Sequence, residues 1–585
     1  MLPPTVSKLL ALILIAQSSL ALPSAQEWQE FSDSLSGRLH KALPLSAPCF
    51  PVVNGEKSTI NPEECSVIQS NYTVADFRSV RAPAYMFTQW ETCQRTEEKC
   101  LLDPTDPSNP LAYTVPCQQG YVSEYYVAVS GPGDVQKSFL FSAKTGIHLS
   151  IKSSGHDYKG RSGSKGSLNL WVNQYRPAKY DLLYIPNFIP EGGERPYAHA
   201  ITMGAGVPFE DLYKFADENN LTAVGGYAST ISPNQHLAFV DVRPSIFIQG
   251  GGHSILSPVF GLGVDRVLQF KIVTPDGIYR VANSFQNSDL FWALRGGGGS
   301  TFGVVLESTF LVEPRMTLQV ASMSFTRTST NYQPFLRLLV DESYKWGTEG
   351  WGGHMGPTNL INVNPLLTLE EATESLKNVS EYVTAQNGSV VIEELPSWEV
   401  FFTKYVTTAE ASVGVENTLM GRLISTDLFT SKSGKTTLTK TMIQMIQQYA
   451  INPYIVVGTP FLFNGTANAT SVTPAWRKAL WQLGGHTGWQ FNATVSQIRT
   501  QYEIASNIAQ LMRDITPGSG AYLNEADLYE TNHEGMHMDW ESFWGPNYPA
   551  LLAIKKKYDP HSLLDCWQCV GWKGAQDVRY DCYLP

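Results

Sequence analysis

The spacing of hydrophobic and polar positions changes several times along the chain. The first clear rhythm begins at Tyr121, in YVSEYYVAVSGPGDVQKSFLFSAKTGIHLSIKSSGHD. Alternating apolar residues predict a strand, Pro132-Gly133-Asp134 opens a helix that Asp134 can cap, and 147–151 predicts a second strand. Strand and helix signals then alternate to about Val312, broken by Gly-rich turns, an α+β or α/β pattern. From about Met316 to Leu511 the glycine runs stop. There LQVASMSF and NPYIVVGTPFLF predict strands, and LEEATESLKNVSEYVTAQ spaces its apolar residues as an amphipathic helix does, which predicts a second domain. After Ile515 aromatic, Gly and Asn residues return, followed by a Lys-rich helix at 554–558. Residues 22 to about 117 carry Pro, Cys and polar residues without periodicity and are expected to form an extension. The chain shows no internal repeat.

The N-terminus reads as a targeting segment. Lys8 precedes the apolar run 9–15, and Ser19-Leu20-Ala21 supplies the small residues that a signal peptidase recognises, so 1–21 is expected to be a secretory signal peptide. No later stretch reaches the ~18 apolar residues of a membrane span. Eight cysteines fit an oxidising compartment. Five lie near the start (Cys49, Cys65, Cys93, Cys100, Cys117) and three near the end (Cys566, Cys569, Cys582). Both numbers are odd, so full pairing requires at least one bridge from the extension to the C-terminal tail. Cys566-Trp-Gln-Cys569 has no second CxxC and reads as structural rather than as a metal or redox pair. Seven sequons, at Asn71, Asn220, Asn378, Asn387, Asn464, Asn468 and Asn492, are candidate glycosylation sites.

Composition narrows the function. The 585 residues are 43% hydrophobic and only 16% charged, which predicts packed domains rather than disorder. A net charge of -11 lacks the basic footprint that nucleic-acid backbones require.

Several motifs fail on inspection. His533-Glu534-Gly535-Met536-His537 matches HExxH in letters, but Gly535 separates the histidines and no helix-forming run surrounds them, so no metal site is expected. Gly434-Lys435-Thr436 resembles the end of a P-loop whose first glycine would fall on Phe429. Neither GxGxxG nor GxSxG occurs, which disfavours an NAD-binding Rossmann domain and an α/β-hydrolase.

Three Gly-rich segments point elsewhere. They are SSGHDYKGRSG (153–163), QGGGHS (249–254) continuing into SPVFGLGVD, and RGGGGSTFGVV (295–305). Glycines let a backbone approach a ligand closely, and successive N–H groups in such turns bind anions such as pyrophosphate. Three of them in one domain predict a large phosphate-bearing cofactor.

IKSSGHDYKGRSG resembles the pyrophosphate loop of FAD-linked oxidases of the vanillyl-alcohol-oxidase type, in the berberine-bridge-enzyme-like branch. GGGHSILSPVFGLGVDRV, DLFWALRGGGGSTFGVV, YLNEADLYE, WESFWGPNYPALLAIKKKYDP and LLDCWQCVGW resemble the same branch in order and spacing, over about 120–317 and 520–572. Within the branch the chain resembles the secreted fungal isoamyl-alcohol-oxidase-like proteins, with their Cys-rich extension. The resemblance implies an α+β fold, with a two-lobed PCMH-type FAD-binding domain at 118–315. It also implies a substrate domain at 316–511, an antiparallel sheet covered by helices, and a C-terminal segment at 512–585 that packs back on the FAD domain.

It further implies FAD attached through His156, with Ser153, Ser154, Gly155, Asp157, Gly160, Arg161, Ser162, Gly225, Gly226, Gly250, Gly251, Gly252, His253, Gly261, Val264 and Asn524 around the cofactor. A second attachment, through a Cys in a GGxC turn, is ruled out because Ala228 stands there. The link from that turn to GGGH is about ten residues longer than in relatives, and 232–245 matches nothing in the family. It is either a surface insertion or residues that a spliced message lacks.

The implied reaction moves a hydride from a substrate carbon to the flavin, with O2 as acceptor giving H2O2. Tyr522 is the expected proton-transfer residue, and His253 and His354 are expected to have orienting or structural roles. The expected substrate is a small alcohol or secondary metabolite. Oxidative cyclisation or desaturation, carbohydrate oxidation and an inactive extracellular binding protein are the alternatives.

Overall fold

The computed structural model describes residues 23–187, 197–228, 244–408, 412–466, 468–530 and 542–584. The signal-peptide residues, the HExxH letters and most of 232–245 lie outside the described residues.

The first sheet is built from β1 (Leu39–Lys41), β2 (Tyr125–Ala128), β3 (Leu149–Lys152) and β4 (Leu168–Trp171), in the order β1-β2-β4-β3. β2, β4 and β3 run parallel, and β1, from the N-terminal extension, closes the edge antiparallel. β3 and β4 are buried along their length, as parallel strands covered on both faces are. Helix α1 (Ala25–Ser34) packs against α2 (Pro132–Thr145), whose C-cap Gly146 takes the left-handed conformation that spares a Cβ clash. The cap of α2 differs from the expectation. Gly131 is the N-cap, and Asp134 sits in the first turn, reaching back to the Ser130 N–H at 2.9 Å and out to Arg38.

The second sheet is antiparallel. Its strands β5 (Ala178–Tyr184), β6 (Tyr197–Gly204), β7 (Val267–Val273), β8 (Tyr279–Asn283) and β9 (Val304–Leu311) run in the order β8-β7-β9-β6-β5. Helix α3 (Phe209–Glu218) buries Phe209, Leu212 and Tyr213 in the core beneath it.

The third sheet has seven antiparallel strands. They are β10 (Leu318–Ser324), β11 (Gly352–Gly356), β12 (Asn359–Asn364), β13 (Ser389–Leu395), β14 (Glu416–Ser425), β15 (Tyr454–Val457) and β16 (Ala479–Trp489), in the order β13-β10-β12-β11-β15-β16-β14. Strand alternation divides its residues cleanly. Ala321, Met323, Met355, Ile455, Trp481 and Leu483 face a core made with α4 (Tyr332–Glu349), α5 (Lys377–Ala385), α6 (Lys432–Tyr449) and α7 (Val495–Ile515). The other face, with Val320, Val363 and Leu423, turns to the segments that carry Ile255, Leu262 and Tyr522. The amphipathic run expected as one helix breaks at Leu376 into Leu369–Ser375 and α5, and NPYIVVGTPFLF is strand only at β15. Gly434 to Thr436 lie inside α6, which removes any phosphate-loop reading. The last helix, α8 (Tyr548–Tyr558), is longer than its Lys-rich end suggested.

All eight cysteines are paired: Cys49–Cys65, Cys93–Cys582, Cys100–Cys117 and Cys566–Cys569. Cys93–Cys582 is the bridge that the odd numbers demanded, joining residues 489 apart in sequence. Beside it, the extension and the tail grip the 153–163 loop. Tyr85, Trp90, Tyr121 and Tyr583 are all buried, and their polar atoms bind the carbonyls of Ser162, Tyr158, Gly160 and Lys159. The Met86 N–H takes the Gly155 carbonyl at 3.1 Å. A Cβ on Gly160 would lie 2.4 Å from Trp90, and one on Gly163 would lie 2.2 Å from the Tyr85 hydroxyl. These two glycines are therefore demanded by the aromatic clamp. The clamp is anchored in turn by Arg78, fully buried, which pairs with Glu91 and donates to the Tyr85 carbonyl at 2.7 Å and the Tyr72 carbonyl at 2.8 Å.

Two outcomes follow from this packing. Gly160→Ala adds a Cβ against Trp90 at a φ of +75°, and should lower stability by about 2–4 kcal/mol in denaturant titration. Glu416, buried at the start of β14, is pushed up to about 8 by desolvation from an ordinary 4.5. Folding therefore retains a proton that the unfolded chain releases, so this group's contribution is fully present below about pH 4.5 and is lost as pH rises through 8. Glu416→Gln should remove on the order of a few kcal/mol of that decline, read as the difference between the two proteins' stability curves from pH 5 to 8.5.

Candidate active site

The outward grip on the 153–163 loop has an electrostatic result. The carbonyls of residues 155, 156, 158, 159, 160 and 162 all accept hydrogen bonds from the body of the protein. Their negative ends are thereby occupied, which suits the loop to an anion. Asp157 ties the loop internally: Oδ2 accepts from the Ser162 N–H at 2.7 Å, and Oδ1 from Arg161 Nε at 2.8 Å. Asn524, from the C-terminal segment, spans it. Its Nδ2 donates to the His156 carbonyl at 3.2 Å, and its Oδ1 accepts from Arg161 Nη2 at 2.5 Å and the Tyr158 N–H at 3.4 Å.

One narrow crevice brings the three Gly-rich segments together. Asp157, Arg161 and Ser162 reach it from the first, Gly250 from the second, and Gly299 and Ser300 from the third, with Tyr522, Leu523 and Asn524 along one side. Sequence separations of more than 140 residues collapse into this one space. The residues present fit a phosphate-bearing group. The Ser162 hydroxyl is buried without a partner, and a Cβ on Gly250 would meet only the Tyr522 ring at 3.4 Å and its hydroxyl at 3.8 Å. An unpartnered buried hydroxyl costs free energy unless a ligand satisfies it.

The other expected residues fall into two groups. Ser154, Gly155 and His156 are buried in the same loop; His156 Nδ1 lies 3.1 Å from the Tyr158 hydroxyl. Gly251 and Gly252 form the second turn at φ +133° and +73°, and the N–H groups of Val264 and Gly263 donate to their carbonyls at 3.1 and 2.7 Å. Neither these residues nor the remaining ones are among those that line the crevice. Ser153 donates to the Ala205 carbonyl, Gly225 leaves room for Phe209 and Tyr213, Gly226 accepts from the Tyr213 hydroxyl, and Gly261 makes way for Phe463. Ala228 is buried, and with every cysteine in a disulfide no thiol remains for a second flavin link.

On the far side of the 522–525 turn the polar face of the third sheet begins. His354 on β11 and Gln482 on β16 each stand opposite Val456 of β15, so the three share the face turned toward the segments that carry Ile255, Leu262 and Tyr522. Tyr454, two residues before Val456, joins them and hydrogen-bonds His354 Nδ1. Burial holds His354 neutral, pushing it down to about 3, with His253 nearby as the second cause. His253, after the second Gly turn, sits 3.3 Å from Glu525, stacks near Trp476 and meets Tyr522 edge-on at 5.2 Å. Gln482 Nε2 donates to the other Glu525 oxygen at 2.5 Å. Glu525, Gln482 and Tyr454 stand in none of the Gly-rich motifs. Only Glu525 had a signal, its place directly after Tyr522-Leu523-Asn524. Among the described residues no group of His, Cys, Asp and Glu could hold a metal ion.

Comparison with known proteins places this geometry. The family described as "Berberine and berberine like" matches residues 521–570, the segment carrying Tyr522, Asn524 and Glu525. The chain is 38% identical to the FAD-linked oxidoreductase ffsJ of Aspergillus flavipes, over 96% of this chain and 94% of that one. It is 39% identical to the FAD-linked oxidoreductase OXR2 of Pyricularia oryzae, over 94% and 93%. The crystal structure of the VAO-type flavoprotein MtVAO615 from Myceliophthora thermophila C1 superposes with a TM-score of 0.80 at 26% identity, covering 95% of this chain and 96% of that one. The α+β architecture, the three-segment crevice and these whole-length similarities agree: the chain belongs to the FAD-linked oxidoreductases of the vanillyl-alcohol-oxidase and berberine-bridge-like family.

Proposed function

We propose that the protein is a secreted oxidase that removes a hydride from a small alcohol or secondary metabolite, with FAD linked covalently to His156 and O2 as the final acceptor giving H2O2. The observation that carries this reading is the crevice in which all three Gly-rich segments meet beside Tyr522 and Asn524. FAD, when bound, supplies the two-electron acceptor. The chain does the rest. The first loop with the turns at 250–252, 299 and 300 would hold the cofactor, and Asn524 keeps the loop in register with the C-terminal segment. Tyr522 covers the Gly250–Gly251 turn and hydrogen-bonds the substrate hydroxyl. The 316–511 segment lends the face bearing His354, Tyr454 and Gln482, which shields that hydroxyl from water.

Secretion is supported by the N-terminal leader pattern, four disulfides and six sequon asparagines that lie exposed; the seventh, Asn71, is half-buried and donates to the Val67 carbonyl. No described helix is long and apolar enough to cross a membrane.

Intact mass after deglycosylation and denaturation tests the attachment. Wild type should carry the increment of one FAD, and His156→Ala should lose it while keeping its cooperative unfolding. A wild-type protein without the increment overturns covalent attachment. A panel of alcohols and sugars with peroxide detection tests the substrate class; turnover of sugars alone would exclude the alcohol reading.

A further inference from the structure

The second polar group, on the sheet side of the 522–525 turn, is built for more than packing. Glu525 and His253 are both at least nine-tenths buried. They come from distant parts of the chain and are seated by glycines of the third sheet and the loop after it. A Cβ on Gly421 would lie 2.9 Å from the Glu525 carbonyl oxygen, one on Gly352 would lie 1.8 Å from the Ile255 carbonyl oxygen, and one on Gly458 would lie 3.1 Å from that of Ser254. Each carboxylate oxygen of Glu525 has one side-chain partner, His253 on one and Gln482 on the other. Glu525, Gln482 and Tyr454 line one small cleft. Among the described residues, two buried polar atoms at this face have no partner, Gln482 Oε1 and His354 Nε2. Together they present an acceptor and a ring nitrogen that a substrate's polar group would satisfy.

We propose that Glu525 is the group that takes the proton from the substrate hydroxyl, and that His253 is the positioning residue that aims it. This rests on the oxidase reading above. In the step, the substrate C–H bond breaks and its hydrogen leaves with both electrons for the oxidised flavin. The O–H bond breaks and its proton goes to the Glu525 carboxylate, and the carbinol becomes a carbonyl. Tyr522 orients the oxygen. Among the described residues, His253 from the Gly-rich turn contacts Glu525 and Tyr454 from β15 lines the same cleft, while His354 from β11 and Tyr522 from its own turn stand beside His253.

The test uses the secreted, flavin-loaded protein and an alcohol that the wild type oxidises. Flavin reduction is followed anaerobically by stopped flow across pH, beside intact mass and thermal midpoint. Glu525→Gln should keep the FAD increment and the midpoint, slow reduction by roughly 100-fold or more, and lose the rise of the rate with pH. His253→Gln, which can still hydrogen-bond, should cost less and displace the pH rise; His253→Ala should cost more than His253→Gln. Tyr522→Phe should slow reduction while keeping the pH rise. Glu525→Asp should retain the pH rise at a reduced rate, which keeps the question open to test should the Gln variant fold poorly. Reduction by Glu525→Gln within threefold of wild type with an unchanged pH profile overturns the proposal, as does loss of the FAD increment in both Glu525 variants, which would make the residue scaffold. A flavin-loaded wild type that oxidises no alcohol overturns the oxidase reading itself, and with it this assignment.

Discussion

A Cβ on Gly160 would lie 2.4 Å from Trp90, and the shape of the 153–163 loop depends on that contact. Within the 153–163 loop Tyr158 stacks on Phe87 and Lys159 reaches Gln568. The loop's shape is imposed by a wall of buried aromatics, Trp90, Tyr85, Tyr121 and Tyr583, each of which gives a hydrogen bond to a loop carbonyl. Burial raises the Tyr85 and Tyr583 hydroxyls well above the ordinary phenol value, so both remain donors. Trp567 stacks on Tyr583 at 4.1 Å, and Cys93–Cys582 locks the two chain ends that supply the wall. An extension and a tail that look peripheral in sequence are thus the mould of the cofactor loop.

The same logic explains the glycines of the third sheet. A strand glycine is unfavourable for packing unless something approaches closely. Gly352 and Gly421, with Gly458 just beyond β15, admit the backbone after the second Gly turn and the backbone of Glu525. The sheet can therefore be greasy on the helix-covered side and carry His354, Tyr454 and Gln482 on the other. Those polar groups meet His253 and Glu525 between the two halves of the molecule, where the burial that forbids water also leaves Gln482 Oε1 and His354 Nε2 waiting for a partner.

The sequence determined the family, the cofactor and the pieces of the crevice. Its Gly-rich runs and the YLN segment are local strings whose chemistry does not depend on their neighbours, so they are readable without a fold. Cysteine parity likewise required the long bridge that Cys93–Cys582 provides. Other local readings met tertiary competition. Asp134 looked like a cap and instead answers Arg38 and Ser130, and one amphipathic run became two helices. The fold alone separates the glycines that line the crevice from those that make room for packing: Gly250 lines it, with the Tyr522 ring at ordinary contact distance, whereas a Cβ on Gly160, Gly163 or Gly225 would run into aromatic side chains. It also decided that Glu525 meets His253, 272 residues away, and Gln482, on a different strand. Pairings of that kind are set by strand register and close backbone approach between distant segments, and a linear string of residues carries neither.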